Sequence, residues 1–436
     1  MVDVSRTRAP RDGAGPRSTV NPITPSVPPH VIVAGCRHGG LAVLRSLGPA
    51  GARLTALDRD PDAFASRSRW VHERSVCPDP AQAPDAFVDH LLERSAWHGA
   101  LVLETEDVYT EALARNRERL REAFRLVTPP WDVARWFLEK DRTLELARRT
   151  GVPHPRVLSA SSADELGPET GLDLPVMVKP VRSHEFVSAF GVKLWVFDDW
   201  TGARAGFTRA ADRGIEVVVQ EVVPGTERAL ESIEVYVNSD GTWGAVQCNQ
   251  KLRQSPPGFG VMRAGRTVPV IEDVRRHTAT LLGAVGFRGY ASVEFKRDPR
   301  DGQAKLIEVN PRLPRNGALM ARAGTDFPRI ILDDLVAGRP GQPAPYRTAH
   351  FVDLVADVGN VVVRERDLLR RPRELLHPYL ARTRSFAVLS WKDPGPAVTL
   401  LGSRIRRRVG RHRRSGSSTD PGCGGRHGNG TGDPDR

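Results

Sequence analysis

The sequence predicts two architectures in one chain, an α/β unit followed by an α+β region, and three observations carry that reading. From His30 onward, apolar strand runs alternate with helical runs, the pattern of a small parallel sheet flanked by helices. From Arg156 onward strands dominate. Between Ala291 and Arg312, two short β-type runs (Ser292–Lys296 and Lys305–Asn310) flank a turn rich in Asp, Pro and Gly, so they are expected to pair as a hairpin.

The elements follow in order. Residues 1–29 and about 412–436 are rich in Pro, Arg, Ser, Thr and Gly and cannot bury enough surface to order, so both ends are expected to be disordered. Val31–Ala34 reads as a buried strand, Gly35 to Gly40 as a tight turn, and Leu41–Leu47 as the opening of a helix. Leu54–Leu57, ending at Asp58, is a second strand; Ala86–Arg94 a helix; Ala100–Leu103 a third strand; Val108–Phe124 a helix; Arg125–Val127 a short strand. Trp131–Thr150 reads as helical, carries Lys140, and closes at Gly151-Val152-Pro153. Strands are then expected at Val176–Lys179, Val217–Glu221, Ser232–Val237 and Trp243–Gln247, with helices near Val274–Val285 and Phe327–Ala337. Tyr346–Val363 and Phe386–Leu389 suggest a small additional sheet.

At 436 residues the chain is long enough for two or three domains with sizeable cores. No apolar run approaches the roughly 18 residues that span a bilayer, and Met1–Pro29 has no signal-peptide apolar segment. The four cysteines are scattered with no C-x-x-C pair, which suits reduced thiols and a cytoplasmic location. Of the net charge of +12, Met1–Pro28 contributes +2 and Leu401–Arg436 contributes +6, so only +4 belongs to the part between. The basicity is mainly that of a tail. Val398, Leu401, Ile405 and Val409 recur there at helical spacing among arginines, which permits peripheral contact with an anionic membrane, although Gly402 and Gly410 weaken a helix. A solvated basic tail is the plainer alternative. Nucleic acid is a disfavoured partner, because no aromatic–basic interleaving supports it.

The chemistry concentrates in the hairpin. Alternation sends Ala291, Val293 and Phe295 into apolar packing, with Ile307 and Val309 on the second strand. Glu294, Glu308 and Asn310 then share the opposite face. Two carboxylates and an amide are hard oxygen donors, and with Arg312 beside them they suit Mg²⁺ carrying a polyphosphate. Alternatively, they are a polar sheet face that Arg312 neutralises.

Upstream, Pro175-Val-Met-Val-Lys179-Pro180 places a lysine at a strand end, where a compact charge suits a phosphate oxygen. Gln220-Glu221-Val222-Val223-Pro224-Gly225-Thr226-Glu227 runs a strand into a bend that can offer backbone groups to a planar base while Glu227 reaches a ribose diol. Each taken alone is an ordinary solvated strand end or turn. The turn Gly35…Gly39-Gly40 with Asp58 imitates a dinucleotide fingerprint, but its G-x-x-x-G-G spacing departs from G-x-G-x-x-G; a turn packing helix on sheet is the better reading.

The succession of Lys140, Val-Lys179-Pro, Gln220 to Glu227, Glu294 and Glu308-Val-Asn310-Pro-Arg312 resembles the ATP-grasp superfamily, specifically the carboxylate–amine ligases related to the carbamoyl-phosphate synthetase large subunit. The resemblance covers about His30 to Leu335. It implies a Rossmann-like pre-ATP-grasp domain at 30–130 and a two-lobed ATP-grasp domain at 131–340, divided into 131–222 and 223–340. Residues 341–400 are then a C-terminal extension and 401–436 a basic tail.

The resemblance also implies that Lys140 and Lys179 bind ATP phosphates, that Gln220, Glu221 and Val223 line the adenine, and that Glu227 holds the ribose. Glu294, Glu308 and Asn310 would ligate Mg²⁺ (two ions, with Mn²⁺ an alternative), while Lys251, Arg253 and Arg312 would serve the transferred group and the substrate carboxylate. The segment Lys251–Arg266 would shape the acceptor pocket. One departure is the loop after Lys179, V-R-S-H-E-F, which lacks glycines that could cover phosphates and offers Ser183 and His184 instead.

The implied activity joins a small-molecule carboxylate to an amine through an acyl phosphate. The alternatives are a different nucleophile such as bicarbonate and a catalytically silent ATP-binding scaffold. A dinucleotide-dependent oxidoreductase stands further off.

Overall fold

The computed structural model describes residues 28–181, 183–256, 258–363 and 371–414. Most of the two ends expected to be disordered lies outside those residues, as does Cys423. The other three cysteines are buried free thiols.

Five strands form the first sheet: β1 His30–Ala34, β2 Arg53–Asp58, β3 Glu73–Val76, β4 Leu101–Glu104 and β5 Arg125–Leu126. Their order is β3-β2-β1-β4-β5 and every pairing is parallel, as the alternation predicts. The glycine turn after β1 packs the helix His38–Leu47 against the sheet: a Cβ on Gly40 would stand 2.2 Å from the Gly35 carbonyl oxygen. Asp58 is buried and braces that turn. Its carboxylate accepts from the backbone N–H of Cys36 and, at 2.8 Å, from that of Asp60, so it is committed to the turn and not held out to a ribose.

Two helices expected to be continuous are broken. Val108–Phe124 divides into Asp107–Arg115 and Arg117–Leu120 at Asn116, whose amide Nδ2 donates to the Ala112 carbonyl at 3.1 Å and competes with the helix ladder. Trp131–Thr150 divides into Trp131–Leu138 and Lys140–Thr150, with Glu139 extended between them. The Thr143 hydroxyl donates to the Trp136 carbonyl at 2.8 Å across the break. Lys140 therefore opens a helix; it does not sit within one.

A four-stranded antiparallel sheet follows, made of β6 Val157–Leu158, β7 Val176–Pro180, β8 Trp195–Phe197 and β9 Val217–Glu221 in the order β6-β9-β7-β8. It has its own core, in which Val176, Val178, Phe186, Phe207 and Val219 pack together.

The largest sheet contains β10 Leu230–Val237, β11 Trp243–Ser255, β12 Val261–Val268, β13 Gly289–Arg297, β14 Ala304–Asn310, β15 His350–Val352 and β16 Arg384–Phe386, ordered β14-β13-β10-β11-β12-β15-β16. One of its faces shares a core with the first sheet, where Val31, Leu44 and Leu54 join Tyr236, Met320, Phe327 and Phe351. The other packs on the helices Trp131–Leu138, Lys140–Thr150 and Glu272–Ala284.

Among the described residues no separate C-terminal sheet forms. β15 and β16 extend the large sheet, and Leu354–Val363, the end of the Tyr346–Val363 stretch expected to join an additional sheet, is a helix. Tertiary pairing overrides propensity here, because Asp357 on that helix holds the buried Arg253. At the end of the chain the helix Gly395–Arg414 runs through both Gly402 and Gly410.

Candidate active site

The β13–β14 hairpin forms as expected, and Glu294 and Glu308 are register partners, as are Ser292 and Asn310. Directly paired residues of an antiparallel sheet share a face. The rows therefore extend across the sheet as Glu308–Glu294–Ser232–Asn249 and Asn310–Ser292–Glu234–Gln247. Ala291, Val293, Phe295 and Val309 are buried on the opposite side, as predicted.

Ile307 is not. A bulge between Glu294 and Phe295 on the partner strand pairs Phe295 with Leu306 and leaves Ile307 as the extra residue. Leu306 takes the buried position, and Ile307 stands 37% exposed beside Glu308. The carboxylate face thus carries an apolar platform that strict alternation conceals.

Cations gather on this face. Lys251 Nζ lies 2.7 Å from Glu294 Oε2. Arg312 donates from Nη2 to Asn310 Oδ1 at 3.0 Å and from Nε to Asp107 Oδ1 at 2.5 Å. Burial works against the Arg312 charge, but Asp107 and Glu308 outweigh it and raise its pKa. Asp107 opens a helix of the first sheet's layer, so this contact ties that layer to the hairpin. Sequence reasoning missed Asp107, because a contact spanning 205 positions leaves no local pattern.

It missed Glu234 as well. This buried residue accepts from the Tyr290 hydroxyl and, at 3.2 Å, from Asn249 Nδ2; burial pushes its pKa up to about 7. The Glu294 charge pushes in the same direction.

The small sheet supplies the opposing groups. Lys179 donates from Nζ to Gln220 Oε1. Its pKa is lowered to about 8, chiefly by burial and then by the charge of Lys140, with Glu308 opposing both. Lys140, Lys179 and Glu308 therefore share one electrostatic neighbourhood although they come from three separate elements. Glu221 is fully buried, and its carboxylate accepts from the Arg156 backbone N–H at 3.0 Å and from Arg156 Nε at 3.1 Å. Lys305 lies 3.6 Å away and Arg300 3.5 Å. With its side chain so engaged, Glu221 has its backbone to offer a base. Val223 is buried in the bend, and Glu227 accepts from the Gly258 N–H at 3.1 Å. Lys296, partly buried on β13, feels the Glu227 charge.

Arg253 stands apart from this group. It is buried and clamps Asp357 at 2.8 and 2.6 Å, with the Tyr379 hydroxyl donating to the same carboxylate. The Lys251–Arg266 segment is the turn and facing edges of the β11–β12 pair. Of the loop after Lys179, the structure describes the backbone helix Ser183–Phe190 with Phe186 buried; Arg182 and the side chains of Ser183 and His184 lie outside the described residues.

Among the described residues, no three His, Cys, Asp or Glu side chains gather into a metal-holding group. A cation on this face would rest on Glu294, Glu308 and Asn310. Such a sparse set fits Mg²⁺, which keeps waters and binds through one or two carboxylates plus substrate phosphates. Two facing carboxylates would otherwise repel, and Lys251 already answers that repulsion in part.

No protein-family model matches the chain. The chain is 23% identical to the D-aspartate ligase of Enterococcus faecium over 261 residues, covering 57% of this chain and 61% of that protein. It is 22% identical to the carbamoyl phosphate synthase large chain of Mycobacterium tuberculosis over 319 residues, 69% of this chain but 28% of that one. The matched region thus spans about three fifths of the first relative and under a third of the second. Among solved structures, N5-carboxyaminoimidazole synthetase of Staphylococcus aureus complexed with ADP superposes with a TM-score of 0.58 at 14% identity, covering 79% of this chain and 87% of that chain.

Proposed function

We propose that this chain, whose fold is that of the ATP-grasp superfamily, is an ATP-dependent ligase that activates a carboxylate as an acyl phosphate and joins it to an amine. The observation that carries the reading is the pairing of Glu294 with Glu308 across the hairpin, with Lys251 Nζ 2.7 Å from Glu294 and Arg312 Nη2 3.0 Å from Asn310 on the same face. In this reading the nucleotide lies between the small sheet and the large one, and the helices Trp131–Leu138 and Lys140–Thr150, expected in the first lobe, pack on the large sheet.

A carboxylate is a poor electrophile, and oxide cannot leave from it. Transfer of the γ-phosphoryl group breaks its bond to the β–γ bridging oxygen, forms a bond to the carboxylate oxygen, and releases ADP. The amine nitrogen then attacks the acyl carbon, the C–O bond breaks with its electron pair leaving on phosphate, the nitrogen gives up a proton that the phosphate can carry away, and an amide remains. Two anions must meet for the first step. Lys179 on the small sheet and Lys140 at the start of its helix neutralise phosphate oxygens on one side, while Lys251 and Arg312 do so on the hairpin side. Glu294, Glu308 and Asn310 would hold Mg²⁺, one ion or two and replaceable by Mn²⁺, whose charge aligns the phosphates. Ile307 offers an apolar surface and the Gln220–Val223 backbone offers polar groups, the combination a planar base requires; Glu227 lies further along the same bend. Arg253, clamped by Asp357, acts by shaping β11 around Lys251.

ADP release over a matrix of amino acids and amines, with D-aspartate at the head of the acids, tests the assignment. The expected result is release that requires one acid and one amine together, with a product lighter than their sum by one water. Release supported by bicarbonate alone, or none with any pair, contradicts it.

A further inference from the structure

We propose that the helix Gly395–Arg414 is a docking face for an anionic lipid surface. Its inner side is committed. Ala397 and Leu400 are buried against the turn Phe64–Arg67, and a Cβ on Gly395 would stand 2.4 Å from the Arg67 carbonyl oxygen. Just ahead of the helix, buried Asp393 accepts from Arg45 Nε at 2.9 Å, Ser68 Oγ at 2.8 Å and the Arg69 N–H at 2.9 Å. The helix is thereby fixed in orientation.

Its outer side is apolar, the reverse of what a solvent-facing helix needs. Val398, Leu401 and Ile405 are 67%, 41% and 63% exposed, and their spacing of three and four residues sets them on one stripe. Trp391, next to Lys392 and ahead of the helix, is 101% exposed. The twenty residues of the helix include seven arginines and no acid.

An apolar stripe within a purely basic helix matches the acyl–headgroup boundary of an anionic bilayer, where an indole also partitions. A second copy of this chain would bring like charges together across the contact. Nucleic acid would leave the aliphatic stripe without a partner.

The test is co-sedimentation of the full chain with phosphatidylcholine vesicles, with and without phosphatidylglycerol. Binding is expected only when phosphatidylglycerol is present and should weaken with salt. The double variant Leu401→Glu/Ile405→Glu should lose about tenfold or more of that binding. Arg406→Gln should lose about fivefold. Circular dichroism of both variants should match the parent. The proposal is overturned by absence of sedimentation with either vesicle, by equal sedimentation of the double variant, by tighter binding to duplex nucleic acid than to vesicles, or by a two-copy mass in light scattering that the double variant reduces to one.

Discussion

Lys251 Nζ lies 2.7 Å from Glu294 Oε2, so a carboxylate that would serve a divalent cation already holds a monovalent one. The two cations compete for the same oxygen. Lys251→Met should therefore tighten binding of Mg²⁺ alone by a few fold, because the competing charge is gone. It should also slow ADP release by about tenfold to a hundredfold, because the charge that Lys251 passes to the phosphoryl group is lost. Calorimetry with Mg²⁺ and a steady-state assay check the two opposite signs.

Lys179 sets a pH limit on nucleotide binding. Burial holds its pKa near 8, well under the ordinary value of 10.5, with the neighbouring Lys140 adding to the effect. Below that pH the ammonium is charged and ready for a phosphate. Above it the free protein must take up a proton in order to bind. Affinity for the nucleotide should stay level below about pH 8 and weaken above it, and Lys179→Met should be weak throughout with no such break. Calorimetry in buffers of different ionisation enthalpy should register proton uptake for the parent and none for the variant.

Glu234 is a stability liability at neutral pH. Its folded pKa near 7 lies above the ordinary 4.5, so the folded state holds its proton more tightly. Stability from this group is fully present below about pH 4.5 and is lost as pH rises through 7. Glu234→Gln keeps the shape without the charge. It should raise stability at pH 8 by at most about 3 kcal/mol and leave stability at pH 5 nearly unchanged. Thermal unfolding at the two pH values decides.

Arg253 and Asp357 form a buried pair, and removal of one partner strands the other. Arg253→Ala should cost about 3–5 kcal/mol, whereas Arg253→Met with Asp357→Leu should cost far less. Denaturant unfolding of the single and double variants measures the difference.

What could be read in advance follows the range of the contact. Glu294 and Glu308 were legible because a turn of Asp, Pro and Gly pairs their strands and period two sets them on one face. Ile307 was not, since a single bulged residue shifts the phase and alternation gives no sign of it. A helix expected near Phe327–Ala337 is found there, and the structure shows Pro328 at its start and Gly338 at its end. Leu354–Val363, within the Tyr346–Val363 stretch expected to join an additional sheet, is helical, and Asp357 on it is held by Arg253 and Tyr379, contacts that leave no local pattern. Asp107 depends on which sheets meet, and Glu234 on which strands of the large sheet lie side by side.

The central claim is that the hairpin face, Lys140 and Lys179 grip one magnesium-bound nucleotide. Titration of ATP into the protein with Mg²⁺ present, in the parent and in Glu308→Gln, tests it most directly. The account predicts saturable binding in the parent, affinity at least about tenfold weaker in the variant, and unchanged circular dichroism. Absence of binding in the parent, or equal binding in both proteins, would contradict it.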